Sequence, residues 1–164
     1  MAAGTGVVLN NEMDDFSIKP GVPNGYGLIG GEANAIAPGK RMLSSMTPTL
    51  LESADGLALL GTPGGSRIIT MVLLAGLAWI EGADADAMVA VPRIHHQYYP
   101  DVIGFEADAL DAHVVAALQA LGHSLRSVGR DYGDMHVVTW EYSSGTVEAA
   151  SDPRGTGEPR FHEP

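Results

Sequence analysis

The sequence predicts a layered α+β fold, in which an antiparallel sheet system has helices packed on its outside. Apolar runs of strand length occur in pairs around tight turns, as at residues 49–52 and 57–60 around Asp55 and Gly56. Longer apolar stretches at 68–80 and 108–121 have the spacing of helices and lie apart from those pairs. Hairpins and helices that are separated along the chain are typical of an α+β domain.

The composition is that of one acidic globular domain. Of the 164 residues 45% are hydrophobic, and the formal net charge at pH 7 is -11. This negative charge argues against nucleic acid or an anionic membrane face as a partner. The absence of cysteine excludes disulfides and thiolate chemistry. We expect a domain at 1–154 and a flexible tail, rich in glycine and proline, at 155–164.

The N-terminal residues contain an acidic cluster. Residues 1–6 have neither a basic nor an apolar signal region, so we expect no signal peptide, and a strand at 6–9 would have nothing before it. Glu12, Asp14 and Asp15 then follow within four residues. Glu12 and Asp15 can converge on one cation such as an ammonium group, or the cluster can be a solvated acidic turn.

Residues 19–39 predict a long loop without regular structure, because glycine and proline recur throughout them. Loops of this length inside a compact domain are functional or disordered. Val22, Tyr26, Leu28 and Ile29 are apolar enough to fold over a pocket, which favours an ordered lid. A flexible surface loop is the alternative.

The neighbouring hydroxyls of Ser44 and Ser45 follow this loop and lie between apolar residues. One hydroxyl and one amide can hold the same carboxylate. The alternative is an ordinary turn before Thr47 and Pro48.

Gly64 and Gly65 lie in a turn between a predicted strand and a predicted helix. Pro63 ends the strand, because it fixes its own φ and pushes Thr62 towards extended conformations. The two glycines can adopt positive φ, so that two successive amide N–H groups can face one point. Ser66 is expected to N-cap the helix. Such a turn can hold a carboxylate, a phosphate or the oxyanion of an acyl-transfer intermediate, or it can be a tight turn without a ligand.

The stretch at 68–80 is apolar throughout and too short to cross a bilayer, so it predicts a buried helix and no membrane insertion. Residues 82–90 predict a short capped helix. His95 and His96 are adjacent and cannot face the same side of a strand, so we expect hydrogen-bonding histidines and no metal site. No cofactor is expected.

The C-terminal part predicts one more helix and several strands. Asp108 is placed to N-cap an amphipathic helix at 108–121, and Gly122 is placed to end it. Residues 143–145 form the turn of a last hairpin. Strands are predicted around this helix and turn, at 103–106, 125–128, 135–142 and 146–150.

Several of these segments together resemble the small subunit of gamma-glutamyltransferase, also called glutathione hydrolase. The motifs that carry the resemblance occur in the family's order and cover nearly the whole chain. They are LNNEMDDFS at 9–17, PGVPN at 20–24, KRMLSSMTPT at 40–49, TPGGSRIIT at 62–70, PRIHHQ at 92–97 and ASDPR at 150–154.

The resemblance implies the αββα sandwich of the N-terminal-nucleophile hydrolases. It also implies a reaction in which a terminal threonine, formed by self-cleavage of a precursor, attacks the γ-amide of glutathione or another γ-glutamyl compound. By the same resemblance, Glu12 and Asp15 hold the donor's α-ammonium group, and Ser44 and Ser45 hold its α-carboxylate. Tyr26 lies where some members have a tyrosine in the lid.

Gly64 and Gly65 correspond to the family's oxyanion hole, formed by backbone N–H groups. The strands that carry the nucleophilic threonine and further contacts lie upstream of the segment matched by residues 4–6. We therefore expect those strands, and the large subunit, to be absent from this chain. Thr5 does not replace the nucleophile, because an internal threonine lacks the free α-amine that acts as base. We expect an incomplete fold with one uncovered core face and marginal stability alone.

Three functions are compatible with these expectations. The chain can be the C-terminal portion of a gamma-glutamyltransferase that is inactive alone. It can be a complementing subunit of a split enzyme, whose nucleophile and large subunit come from another chain. It can also be a non-catalytic binding module for γ-glutamyl or amino-acid ligands such as glutathione.

Overall fold

The chain divides after Ser45. A computed structural model describes residues 2–129 and 131–162. In it, Met1–Ser45 and Met46–Pro164 form two compact units, each defined by the contacts among its own residues. We name these parts the N-terminal unit and the C-terminal unit.

The N-terminal unit is built from turns. In its described residues the regular elements are two short 3-10 helices, Glu12–Asp15 and Glu32–Asn34, together with isolated bridges. The segment 19–39 is therefore largely without regular structure, as its glycine and proline content predicts. The apolar run at 6–9 is not a strand, and Val8 is 76% exposed.

The C-terminal unit carries the strands and α-helices of the described chain. They are β1 (Thr49–Glu52), β2 (Gly56–Gly61), α1 (Ile68–Ile80), α2 (Ala85–Ala90), β3 (Ile94–His95), β4 (Ile103–Phe105), α3 (Ala112–Ala120), β5 (Leu125–Ser127), β6 (His136–Glu141) and β7 (Val147–Ser151).

These strands form two sheets. The four-stranded sheet has the order β1-β2-β6-β7 with antiparallel neighbours, and the three-stranded sheet has the order β3-β4-β5. The predicted antiparallel arrangement is confirmed for the first sheet and wrong for the second, where β4 and β5 are parallel. The reason is that α3 connects these two strands, and a helical crossover returns the chain in the same direction.

Both predicted hairpins are present. Glu52 pairs with Leu57, and the Ser53 hydroxyl accepts the backbone N–H groups of Asp55 and Gly56, at 3.1 and 3.2 Å. Gly56 is needed because a neighbouring strand approaches its backbone closely, and not because of the turn conformation. A Cβ there would lie 2.5 Å from the carbonyl oxygen of Trp140 on β6, so the glycine lets two strands approach.

Helix α1 has the predicted bounds, but its predicted N-cap is wrong. A 3-10 turn, Gly65–Arg67, precedes the helix, and the hydroxyl of Ser66 donates to the side-chain oxygen of Gln97 instead of capping. Among the described residues, no helix has both the length and the apolar character needed to cross a membrane.

Helix α3 also begins later than predicted. Asp111, not Asp108, is its N-cap and accepts the N–H of Val114 at 2.7 Å, because residues 107–110 form a turn before the helix. Gly122 ends the helix as predicted, with a φ of 93° and its N–H donated to the carbonyl oxygen of Gln119. The short helix α2 is capped by Asp84, which accepts the N–H of Ala87.

The core lies on one face of the four-stranded sheet, where α1 and α2 cover it. Along β2, Ala58 and Leu60 are buried while Leu59 is 44% exposed, which is the alternation of a strand with one covered face. The buried cluster comprises Ala58, Leu60, Ile68, Met71, Val72, Ala75, Ala85, Met88, Val89, Tyr132, Met135, Val137 and Ala150.

The opposite face of this sheet is apolar and exposed. Leu59 pairs in register with Leu50 on one side and Val138 on the other, so the three side chains share that face. Leu50 and Val138 are 57% and 39% exposed. We name the residues Leu50, Leu59 and Val138 the open sheet face.

Candidate active site

The turn with the two glycines leaves the end of β2 and is anchored on its first side by Thr62. This residue is buried, its hydroxyl donates to the carbonyl oxygen of Pro63 at 3.0 Å, and it accepts the N–H of Asp134 at 3.2 Å. The hydroxyl therefore ties the turn to the chain just before β6.

Gly64 and Gly65 both have positive φ, as predicted, at 145° and 58°. The positive φ requires glycine at Gly64, and a Cβ there would also lie 2.7 Å from the methyl group at the flexible end of Met71, which would have to move. In the part of the chain that the structure describes, neither glycine donates its N–H in a hydrogen bond. Two donors are therefore available at this turn.

The far side of the turn is anchored by a polar network. The Ser66 hydroxyl lies 2.7 Å from the Gln97 side-chain oxygen, which is also 2.9 Å from Nε2 of His95. Nδ1 of His95 lies 2.9 Å from the hydroxyl of Thr70, in the first turn of α1. The network thus joins the turn, β3 and α1.

The electrostatics of this network favour a neutral His95. Burial lowers the pKa of His95, the charges of Arg67 and His96 lower it further, and the hydrogen bond with Gln97 offsets part of the shift. The imidazole therefore acts at neutral pH as one donor and one acceptor.

His96 makes a separate contact with Asp101, at 2.8 Å on the exposed side of the chain. The prediction that His95 and His96 serve in hydrogen bonds is confirmed by these contacts. Within residues 2–129 and 131–162 there is no group of three or more His, Cys, Asp or Glu side chains that could hold a metal ion.

The N-terminal unit brings two of the predicted donor-binding residues together. Oδ2 of Asp15 accepts the backbone N–H of Ser45 at 3.2 Å. Glu12 and Asp15 are the first and last residues of one 3-10 helix, where side chains three apart eclipse and so lie on the same side. Ser44 directly precedes Ser45 in the same unit.

Tyr26 lies in a tight turn of the segment 19–39. The side-chain oxygen of Asn24 accepts the N–H groups of Tyr26 and Leu28, at 2.9 and 3.0 Å. The Tyr26 side chain is largely exposed, at 44%. Its predicted place in a lid stays a prediction.

Sequence reasoning missed a buried charge cluster in the C-terminal unit. Arg93, Glu106 and Asp152 are almost completely buried, and Arg154 joins them. Arg93 pairs with Asp152, while Arg154 binds Glu106 at 2.8 Å and Asp152 at 3.1 Å. The two arginines belong to the motifs PRIHHQ and ASDPR, where Arg93 directly precedes β3 and Arg154 follows the end of β7 by three residues.

Hydrogen bonds favour the charged forms of Asp152 and Arg154. Burial alone would raise the pKa of Asp152, but the N–H groups of Met135 and Arg154 and the guanidinium of Arg93 outweigh it and hold the pKa below its usual value. Burial likewise opposes the charge of Arg154, and its contacts with Glu106 and Asp152 raise its pKa above the usual value. Its charge pairs join the ends of β4 and β7, and hydrogen bonds of Arg154 with the Val89 carbonyl oxygen and of Asp152 with the Met135 N–H link it to α2 and to the start of β6.

Tyr132 connects this cluster to the turn. Its ring has the guanidinium carbon of Arg67 4.6 Å from its centroid and that of Arg93 at 5.9 Å. Burial, and then the charge of Glu106, raise the pKa of the Tyr132 hydroxyl. Arg67, two residues after Gly65, thus lies over the ring of the buried Tyr132.

The fold places the protein with the N-terminal-nucleophile hydrolases, the fold of solved gamma-glutamyltranspeptidases. One of them is the Helicobacter pylori enzyme, solved as a mutant in which one threonine is replaced by alanine. It superposes with a TM-score of 0.83 at 40% identity, covering 94% of this chain and 85% of that one. The chain belongs to the gamma-glutamyltranspeptidase family, whose sequence profile matches residues 1–161.

Curated relatives agree with this assignment. The glutathione hydrolase proenzyme of Pseudomonas aeruginosa is 44% identical over 158 residues, which cover 94% of this chain and 28% of the relative. The proenzyme of Escherichia coli is also 44% identical, over 167 residues that cover 94% of this chain and 26% of the relative. The chain therefore spans about a quarter of the length of these relatives.

Proposed function

We propose that this chain is the donor-binding and oxyanion-stabilising part of a γ-glutamyl acyl-transfer enzyme that acts on glutathione and related γ-glutamyl amides. The observation that carries the proposal is the turn at Gly64 and Gly65 in a member of this family. The turn is anchored on both sides, and within the described chain neither glycine N–H group donates a hydrogen bond. Each such donor lowers the barrier of a comparable hydrolysis by about 3–4 kcal/mol.

The roles of the donor-binding residues rest on charge and position. Glu12 and Asp15 bind the donor's ammonium group with their carboxylates, and Ser44 and Ser45 bind its carboxylate with their hydroxyls. The contact between Asp15 and the N–H of Ser45 supports this assignment, because it holds an ammonium site next to a carboxylate site. Tyr26 closes over the bound donor.

The nucleophile is supplied from outside these residues in this proposal. A threonine with a free α-amine attacks the γ-carbonyl carbon, and the tetrahedral oxyanion is held by the N–H groups of Gly64 and Gly65. The threonine α-amine takes the hydroxyl proton and passes it to the leaving nitrogen as the C–N bond of the substrate breaks. Water or an amino acid then attacks the resulting ester, releases the threonine oxygen and takes the γ-glutamyl group. The Thr5 hydroxyl is engaged in a local turn, where it donates to the carbonyl oxygen of Ala2.

Two apolar surfaces support the idea that the fold is completed by further polypeptide. One is the open sheet face, and the other is the outer side of α1, where Ile69, Leu73, Leu77 and Ile80 are exposed. A helix that is apolar on all sides is typical of the interior of a larger protein. We propose that the family's upstream strands and the large subunit cover these surfaces, with 1–154 as the family domain and 155–164 as a flexible tail.

Complementation tests this function. The chain is mixed with polypeptide that carries the family's large subunit and nucleophile strands, and release of 4-nitroaniline from a γ-glutamyl anilide is measured. We expect no release from the chain alone and clear release from the mixture. Release by the chain alone, or no release from any mixture, contradicts the proposal.

A non-catalytic binding module is the second candidate. The observation that favours it is that Glu12, Asp15, Ser44 and Ser45 all belong to the N-terminal unit. Calorimetry of the chain alone with glutamate and with glutathione distinguishes it, because a binding module gives heat that is lost in Asp15→Asn. Absence of binding heat rejects this candidate.

A further inference from the structure

The residue directly after the two glycines is held by a side chain from a distant part of the sequence. Ser66 follows Gly65, and its hydroxyl donates to the side-chain oxygen of Gln97 at 2.7 Å. Gln97 lies two residues after His95, the last residue of β3. Neither glycine has a side chain with which to hold the turn, so its position depends on the contacts of its neighbours.

The orientation of the Gln97 amide follows from its contacts. Its oxygen accepts a hydrogen bond from the Ser66 hydroxyl and lies 2.9 Å from Nε2 of His95. Its nitrogen donates to the carbonyl oxygen of Tyr99 at 3.1 Å. The reversed amide would place its oxygen against that carbonyl oxygen, and two acceptors cannot form a hydrogen bond. The oxygen therefore faces Ser66 and His95.

This orientation determines the tautomer of His95. An amide oxygen only accepts, so Nε2 of His95 carries the hydrogen, and in the neutral ring Nδ1 is the acceptor. The hydroxyl of Thr70 then has one hydrogen and two acceptors within reach, Nδ1 at 2.9 Å and the carbonyl oxygen of Arg67 at 3.0 Å. The ring is thereby held between α1 and Gln97, and Gln97 in turn is held against Ser66.

We propose that Gln97 is a positioning residue for the Gly64–Gly65 turn: through Ser66 it holds both glycine N–H groups in the direction from which they meet an oxyanion. The catalytic meaning of this inference rests on the proposed function, whereas the positioning itself does not. Thr62 anchors the first side of the turn through Asp134, and Gln97 anchors the second. Loss of either anchor leaves the two glycines held mainly by the hydrogen bonds that their carbonyl oxygens accept from the N–H groups of Arg67 and Ile68.

Nuclear magnetic resonance on the full chain tests the positioning. We expect backbone order parameters of about 0.85 for Gly64 and Gly65 in the parent and below about 0.6 in Gln97→Met, which keeps length but loses the acceptor. Gln97→Glu keeps an acceptor oxygen for Ser66 but loses the donor to the Tyr99 carbonyl oxygen, so we expect glycine order between those of the parent and Gln97→Met. Gln119→Met, on the exposed surface of α3, is the matched control and leaves both glycines unchanged.

A spectroscopic signature separates this role from general destabilisation. The ring nitrogen shifts of His95 report the Nε2–H tautomer in the parent, and this preference disappears in Gln97→Met. In Gln97→Glu the new carboxylate raises the His95 pKa, with Arg67 and His96 unchanged beside the ring. A different tautomer in the parent, or equal glycine order in parent and Gln97→Met, overturns the proposal.

A second variant covers the case in which Gln97→Met fails to fold. Ser66→Ala removes the same hydrogen bond with a smaller change, and Ser66→Thr retains the hydroxyl. We expect the glycine order to be lost in the first and kept in the second. Equal order in the two variants rejects the inference.

Kinetics of the complemented enzyme connect positioning to catalysis. We expect Gln97→Met to lower kcat about tenfold with little change in KM, since the oxyanion forms only in the transition state. An inactive parent mixture counts against the proposed function alone, because the order parameters and the tautomer still decide the role of Gln97. An active mixture whose kcat is unchanged in Gln97→Met refutes the catalytic part of the inference.

Discussion

Individual residues of this chain have large effects where neighbours enclose them. Gly64 is enclosed by Met71, Asp152 by two arginines, and His95 by Thr70 and Gln97. At such places a single atom changes the balance of packing or charge, so the predictions at this scale are substitutions with matched controls elsewhere in the chain.

The first prediction concerns the glycine turn. Gly64→Ala is expected to destabilise the fold by about 1–3 kcal/mol, because its φ is 145° and the new methyl group meets Met71. Gly61→Ala is the control, since a Cβ there has no atom within 4 Å, and its effect is expected within about 0.5 kcal/mol. Urea unfolding measures both, and equal midpoints contradict the prediction.

The second prediction concerns the buried charges. Asp152→Asn leaves the guanidinium of Arg93 buried without its counter-charge, which costs about 3–5 kcal/mol. The control, Asp101→Asn, alters an exposed pair and has an effect within about 0.5 kcal/mol. Soluble yield and the urea midpoint are the measurements.

The pH dependence of the same carboxylate has a definite sign. Because the pKa of Asp152 is lower in the folded protein than its usual 3.8, its stabilisation is complete above that value and is lost as the pH falls towards the folded pKa. Asp152→Asn therefore flattens the acid limb of a plot of unfolding free energy against pH. An unchanged limb would show that other groups dominate acid unfolding.

His95 gives a third prediction at a higher pH. Its pKa is lowered from 6.5, so below about that pH the unfolded chain binds more protons than the folded one and stability falls. His95→Gln removes this part of the decline between about pH 7.5 and about pH 5.5, measured by urea unfolding at each pH. His123→Gln, on the exposed surface, is the control and retains the decline.

At the scale of elements, capping and connection decide details that apolar patterns leave open. The spacing of apolar residues locates α1 and α3, but a cap depends on which carboxylate reaches an N–H group. Asp111 reaches Val114, whereas Asp108 lies in the preceding turn. The connection through α3 likewise makes β4 and β5 parallel.

The fourth prediction tests the cap. Asp111→Ala is expected to destabilise the fold by about 1 kcal/mol, because the N–H of Val114 loses its acceptor at the start of α3. Asp108→Ala removes the same carboxylate three residues earlier and is expected to be nearly neutral. Thermal unfolding of the two variants side by side gives the comparison, and a larger loss in Asp108→Ala would reverse the assignment.

At the scale of the whole molecule, the exposed apolar surface is the dominant feature. Helices α1 and α2 cover one face of the four-stranded sheet and bury the core there. In the described chain the side chains of the open sheet face are exposed. Exposed apolar sheet surface promotes association, and the marginal stability of the chain alone stays a prediction.

The fifth prediction follows from this surface. Leu59→Gln is expected to reduce aggregation of the isolated chain without lowering its stability, and to weaken complementation by the family's other polypeptide. Leu60→Gln, the buried neighbour, is the control and is expected to unfold the chain. Sedimentation and the complementation assay are the measurements. A cooperative thermal transition of a soluble parent monomer near ordinary mesophile temperatures contradicts the expectation of marginal stability.

Much of the fold is local and was therefore predictable. The Asp55-Gly56 hairpin, the bounds of α1, the end of α3 at Gly122 and the positive φ of Gly64 depend on residues within one turn of each other. The prediction that Ser66 caps α1 was wrong because its hydroxyl is bound by Gln97, a residue distant in sequence. Nothing local in the sequence distinguishes those two partners.

The sequence by itself determined the family, the bounds of α1 and the glycine turn, because each depends on residues that are neighbours along the chain. Only the tertiary structure decided that Arg93, Glu106, Asp152 and Arg154 form one buried cluster, and that Gln97 meets Ser66 and His95. The physical reason is that burial and hydrogen bonding depend on distances between segments, and those distances exist only once helices and strands have packed.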